Sequence, residues 1–119
     1  MSKKVIVAED DNDLRESYVR FLKRNFSDVE VEAVPDGEQL VERIRNGGYS
    51  VVLTDNQMLK MGGLEAIRRI REFDKTVPIY MLSGIDVKDK ALQLGATGYF
   101  DKMGLILGIV KEAIMEYLK

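Results

Sequence analysis

The chain has 119 residues, 45% of them hydrophobic and 32% charged, with 18 basic against 20 acidic side chains and a net charge of -2. This is the composition of one soluble domain, spanning residues 1–119, with a modest core. With neither cysteine nor histidine, disulfide and thiolate chemistry are excluded and zinc or copper lacks its usual ligands, so any metal has to be held by oxygen. The near-balanced charge gives no overall attraction to nucleic acid or anionic lipid, and no apolar run approaches the roughly 20 residues of a membrane-spanning helix. A cytoplasmic protein with no direct nucleic-acid or membrane binding is expected.

In chain order, "VIVA" (5–8) is a short branched apolar run that suits a strand covered on both faces. Leu14, Tyr18, Phe21 and Leu22 then follow at helical spacing, with Asn12 or Asp13 available to cap that helix. "VEVEA" (29–33) alternates apolar and acidic residues with period two, which predicts an edge strand with one wet face. Leu40, Val41 and Ile44 mark a second helix, capped by Asp36 and ended by Gly47 in a left-handed conformation. "VVLT" (51–54) and "IYML" (79–82) read as central strands, separated by a helix carrying Leu64, Ile67 and Ile70. A short fourth helix is expected at about 86–94. The last segment, with Leu105, Ile106, Ile109, Val110, Ala113, Ile114 and Tyr117, makes one apolar stripe despite Gly108. Five βα repeats imply a doubly wound parallel sheet with right-handed crossovers and helices on both faces.

In such a sheet the loops that follow the strands share one edge, where open α/β folds bind ligands. Glu9 and Asp10 come directly after the first strand run, Asp55 after the third and Ser83 after the fourth, while Lys102 follows the fifth. Three carboxylates in one cleft repel, which raises a pKa or demands a cation. A hard divalent ion meets that demand, and magnesium takes one or two carboxylates while keeping water and phosphate oxygens as its other ligands. Beside a hydroxyl and an ammonium, this set suits phosphoryl transfer: the metal and Lys102 neutralise phosphoryl oxygens while Asp55 attacks phosphorus in line.

"VIVAEDDND", "VVLTDNQM", "GGLEAIRRIRE", "PIYMLSG" and "GATGYFDK" resemble, in order and across essentially the whole chain, the signatures of the receiver domain of bacterial two-component response regulators, CheY-like. The resemblance implies a flavodoxin-like (βα)5 fold with strand order 2-1-3-4-5. It implies that Asp55 is the phosphoacceptor and that Glu9, Asp10, Asp55 and the main-chain carbonyl of Gln57 hold Mg2+, or Mn2+ in its place. By the same resemblance Ser83 and Lys102 bind the phosphoryl group, Ser83 and Tyr99 act as the switch, and Gln57 and Ile85 tune the phosphoryl lifetime. The implied donor is a phosphohistidine on a sensor histidine kinase or histidine phosphotransfer protein. The implied reader is a downstream target protein or output domain that contacts the fourth helix, fifth strand and fifth helix. The domain would be a regulatory phosphoacceptor, showing only self-phosphorylation from small donors and slow autodephosphorylation. This chain departs from the family pattern at Glu9, which stands for aspartate, and at Leu59 and Met103, which stand for prolines. Gly95 follows Ser83 by twelve positions, about one helical turn fewer than usual, hence the short fourth helix.

Taken singly, Asp55 could cap a loop, Ser83 could serve a turn, Tyr99 could be plain packing, and Glu9, Asp10 and Asp11 could merely load negative charge onto a helix start. Their convergence favours the phosphoryl site. A calcium loop at "DDND" fails, because Arg15 and Glu16 stand where such a loop needs an oxygen ligand and a glycine. Two other readings keep the fold. One is a pseudo-receiver that serves as an interaction module. The other is a magnesium-dependent phosphatase with an aspartyl phosphate, against which stands Gln57 at the place where such enzymes carry a second aspartate.

Overall fold

The computed structural model describes residues 3–102 and 107–119. Five strands, β1 (Lys4–Ala8), β2 (Glu30–Val34), β3 (Val51–Asp55), β4 (Ile79–Ser83) and β5 (Gly98–Asp101), alternate with α1 (Asn12–Asn25), α2 (Gly37–Arg45), α3 (Gly63–Phe73), α4 (Lys88–Leu94) and α5 (Leu107–Ile114). All pairings are parallel and the strand order is β2-β1-β3-β4-β5, as expected.

The three apolar runs form the middle of the sheet because each can bury both of its faces. Ile6, Val52, Ile79 and Met81 point to one side, where Leu40, Ile44, Ala66, Ile67, Ile70 and Ala91 of α2, α3 and α4 cover them. Val5, Val7, Leu53 and Leu82 point to the other, against Tyr18 and Leu22 of α1 and Val110 and Ile114 of α5. Burial on both faces fixes the register, since a one-residue slip would exchange the two apolar sets. β2 lies at the edge, but its acidic face is only partly wet. Glu30 is exposed, whereas half-buried Glu32 accepts a hydrogen bond from the Tyr49 hydroxyl (2.6 Å) and pairs with Arg43 (2.8 Å) and Lys4 (3.5 Å).

The helix caps agree with the sequence at α2 and differ from it at α1. α2 is capped by Asp36, whose carboxylate accepts from the Gln39 N–H at 2.9 Å, and Gly47 follows it at φ +76°, both as expected. α1 is capped by Asp11, which accepts from the Leu14 N–H at 2.9 Å, so the expectation of Asn12 or Asp13 is corrected. Both of those residues lie inside the helix, because the chain is still extended at Asp11. α4 is short, seven residues starting at Lys88, and Gly95 at φ +114° ends it.

The apolar stripe of the last helix holds for Val110 and Ile114, with Ala113 and Tyr117 packed beside them. Ile109 does not belong to it: 49% exposed, it sits one step of about 100° round the helix from the buried line. Leu105, Ile106 and Met103 lie outside the described residues. Beyond Ile114 the chain tightens into a 3-10 turn at Met115–Leu118, which buries Leu118.

Candidate functional site

The parallel register carries the named residues to one edge of the sheet. Asp55 and Ser83 prove to be the last residues of β3 and β4 rather than the first after them. Asp55 is therefore held by the ladder opposite Leu82, and Ser83 opposite Asp101. Glu9 and Asp10 follow β1, and Lys102 follows β5.

Glu9 and Asp55 are almost fully enclosed, at 1% and 6% exposure, and Ser83 is wholly buried; Asp10 is exposed. Oxygens of Glu9, Asp10 and Asp55 lie within 4.8 Å of one another, close enough to share one cation. The Lys102 ammonium sits between two of them, 2.9 Å from Glu9 Oε1 and 3.2 Å from Asp55 Oδ2. A buried carboxylate that cannot reach water needs such partners. The other Glu9 oxygen accepts from the Asp11 N–H at 3.1 Å, and Asp55 Oδ1 accepts from the Asn56 N–H at 2.8 Å.

Burial pushes the Glu9 carboxyl above its ordinary range; the bonds from Lys102 and the Asp11 amide work against this, and the Asp55 charge adds to it. Burial also works against the charge on Lys102, but the hydrogen bond to Glu9 and the charges of Asp55 and Glu9 outweigh it and raise its pKa. The ammonium is thus firmly charged. An all-oxygen cluster of this kind, with one exposed member, fits a hard divalent ion with water access on one side.

The segment after Asp55 is pinned by its own backbone. The Gly63 N–H donates to Asn56 O at 2.7 Å, and a Cβ on Gly63 would lie 2.2 Å from Asp55 O and 2.8 Å from Met81 Cε. α3 can start that close to β3 only because a glycine stands there, a role the sequence did not disclose. Gln57 and Ile85 are both exposed, Gln57 two residues beyond Asp55 and Ile85 two beyond Ser83. Leu59, in the same loop as Gln57, is 74% exposed.

The chain matches the family model of the response regulator receiver domain over residues 5–110. It belongs to the response regulator receiver family. Among receiver relatives, it is 34% identical over 82 residues to the response regulator receiver protein CpdR of Brucella abortus (strain 2308), covering 69% of this chain and 67% of that protein. It is 32% identical over 105 residues to the response regulator MprA of Mycobacterium sp. (strain KMS), covering 86% of this chain but 45% of MprA. The receiver chain thus spans less than half of some curated relatives. In fold it is similar to the receiver domain of the sensor histidine kinase PA1611 from Pseudomonas aeruginosa PAO1, whose structure holds a magnesium ion in the active-site cleft. That likeness has a TM-score of 0.82 at 22% identity and covers 99% of this chain and 98% of the other.

In this receiver the Ser83 hydroxyl donates to Ile85 O at 2.7 Å and accepts from the Ile85 N–H at 3.2 Å. The Tyr99 hydroxyl donates to the same Ile85 carbonyl at 2.6 Å and accepts from the Val87 N–H at 3.4 Å. Ser83 and Tyr99, the two expected switch residues, therefore share one acceptor in the β4–α4 loop. The structure brings together Glu9, Asp10, Asp55 and Lys102, with Ser83 at the adjacent strand end.

Proposed function

We propose that this chain is one receiver domain, residues 1–119, acting in the cytoplasm as a phosphorylation-dependent signalling switch with Asp55 as the phosphoacceptor. The observation that supports it most is the buried Asp55 carboxylate, held at the end of β3 with the Lys102 ammonium 3.2 Å away and two further acids around it.

The donor is a phosphohistidine of a sensor histidine kinase or histidine phosphotransfer protein. An Asp55 carboxylate oxygen attacks phosphorus in line, forming the new P–O bond as the P–N bond breaks. The electron pair of that bond returns to the imidazole, which leaves neutral because its other nitrogen carries a proton. Lys102 balances the charge on the phosphoryl oxygens throughout. Glu9, Asp10, Asp55 and the Gln57 main-chain carbonyl are the residues that would hold a magnesium ion, or manganese. When bound, such an ion adds positive charge at the phosphoryl oxygens and relieves the crowding of carboxylates.

Once Asp55 is phosphorylated, Ser83 turns its hydroxyl from the Ile85 carbonyl to a phosphoryl oxygen, leaving Tyr99 as that carbonyl's partner. The β4–α4 loop then favours a second arrangement, in which the surface of α4, β5 and α5 binds a downstream target protein or output domain more tightly. Such a shift requires only a difference in the partner's affinity for two states already in equilibrium. Gln57 and Ile85, exposed beside the site, govern water access and so the lifetime of the phosphoryl group. The chain is a regulatory acceptor rather than an enzyme acting on other substrates, and it makes no direct contact with nucleic acid or membrane.

The test is intact-mass measurement after incubation with acetyl phosphate and magnesium. Wild type gains one phosphoryl group and Asp55→Asn gains none. Equal labelling of the two would remove Asp55 from the role, and an unlabelled wild type would leave the chain an interaction module on a receiver fold.

A further inference from the structure

The Glu9 side chain is fixed at both oxygens, by Lys102 and by the Asp11 N–H, but its neighbour is not. Among the described residues the Asp10 carboxylate accepts no hydrogen bond, although its oxygen lies within 4.8 Å of those of Glu9 and Asp55. Where that carboxylate points is therefore decided by the backbone that carries it. The peptide joining Glu9 to Asp10 is planar, so the direction of the Glu9 carbonyl sets the plane from which Asp10 departs.

That carbonyl is gripped from α1. Arg15, half-buried one turn into the helix, donates from Nη1 to Glu9 O at 2.8 Å and from Nη2 to Asn12 Oδ1 at 2.5 Å. The planar guanidinium thus spans the start of α1 and the chain just after β1, while the Arg15 main-chain N–H donates to Asp11 O at 2.9 Å. A forked, always-charged donor loses little freedom per bond in such a place. In the preceding peptide, the Glu9 N–H donates to Val34 O at 3.1 Å, so the residue is held from β2 as well.

We propose that Arg15 is a positioning residue for cation binding: by holding the Glu9 carbonyl it aims the Asp10 carboxylate at the cleft, although it touches neither metal nor phosphoryl group. This rests on the reading of Glu9, Asp10 and Asp55 as a divalent-cation site. The two possible effects of Arg15 on that site have opposite signs. As a nearby positive charge it repels a cation, so its loss through charge alone would tighten binding. As a brace it favours binding, so its loss would weaken it. Outer partners that orient metal ligands are worth about tenfold or more in metal affinity.

The experiment is a magnesium titration of wild type, Arg15→Ala and Arg15→Lys, followed by backbone amide NMR shifts, with thermal unfolding of each protein in the absence of divalent ions. Wild type saturates. Arg15→Ala binds about tenfold more weakly with a nearly unchanged unfolding midpoint, and Arg15→Lys, which keeps a charged donor within reach of the carbonyl, falls between them. Binding by Arg15→Ala as tight as wild type, or tighter, overturns the proposal, as does a lysine variant as weak as alanine. If Arg15→Ala does not fold, Asn12→Ala frees the other side of the guanidinium and is read against wild type in the same way. A wild type that shows no saturable response refutes the cation site itself, and the proposal falls with it.

Discussion

Replacing Lys102 with methionine tests whether the ammonium is what holds two buried acids together. Methionine keeps the length and the apolar stem but leaves Glu9 and Asp55 without the cation now 2.9 and 3.2 Å away. Two unit charges at the 4.8 Å limit of the cluster repel by about 3.5 kcal/mol at an effective dielectric of about 20. Part of this is relieved, because Glu9, already pushed toward its neutral form by burial, takes up a proton more readily. Lys102 keeps 23% of its side-chain exposure, so solvent screens some of its attraction. The expected loss is therefore about 2 kcal/mol, below the 3–5 kcal/mol found when a fully buried pair loses one partner. Urea denaturation at neutral pH without divalent ions measures it. The loss shrinks as the pH falls, because the Glu9 carboxyl, raised by burial, then becomes neutral. Magnesium at about a hundred times its dissociation constant stabilises the protein by about 2.7 kcal/mol, and it binds the variant more tightly because no ammonium competes for the same oxygens. A methionine variant as stable as wild type without magnesium, or equally destabilised with and without it, would show that the Lys102 ammonium does not hold the two acids together.

Other consequences follow from the packing and the edge of the sheet. Gly63→Ala puts a Cβ 2.2 Å from Asp55 O and should cost about 1–3 kcal/mol. Gly84→Ala, with nothing within 4 Å, serves as the control in the same denaturation series. At the β2 edge, the hydrogen bond from Tyr49 and then those from Arg43 and Lys4 lower the Glu32 carboxyl below its ordinary 4.5. Its stabilisation is thus complete above that value and is lost as the pH falls through the lower native one. Glu32→Gln should therefore be less stable than wild type at pH 7 but show a shallower acid limb in thermal unfolding; an unchanged limb would rule out the linkage.

Much of the fold was legible because burial on two faces leaves a plain mark: "VIVA", "VVLT" and "IYML" have no polar face and can lie only inside a sheet. The acids and the lysine were legible for a related reason, since polar residues that close such runs in a parallel sheet must meet at one edge. The α1 cap was missed because Asp11, Asn12 and Asp13 all have capping chemistry, and the backbone rather than composition selects among them. Ile109 was misplaced because an apolar residue at the margin of a stripe is apolar whether covered or not. Arg15 left no signal beyond its failure to suit a calcium loop, as its partner is a main-chain carbonyl and carbonyls have no sequence. Gly63 needed the approach of α3 to β3, a distance between elements that no local pattern encodes.

Reductive mapping shows whether Asp55 becomes an acyl phosphate. After labelling with acetyl phosphate and magnesium, borohydride converts an aspartyl phosphate to homoserine, and peptide mass spectrometry locates the change. Homoserine is expected at position 55 alone, dependent on magnesium and lost on chelation. Homoserine at position 10 instead, or none anywhere in a folded protein that binds magnesium, would contradict it.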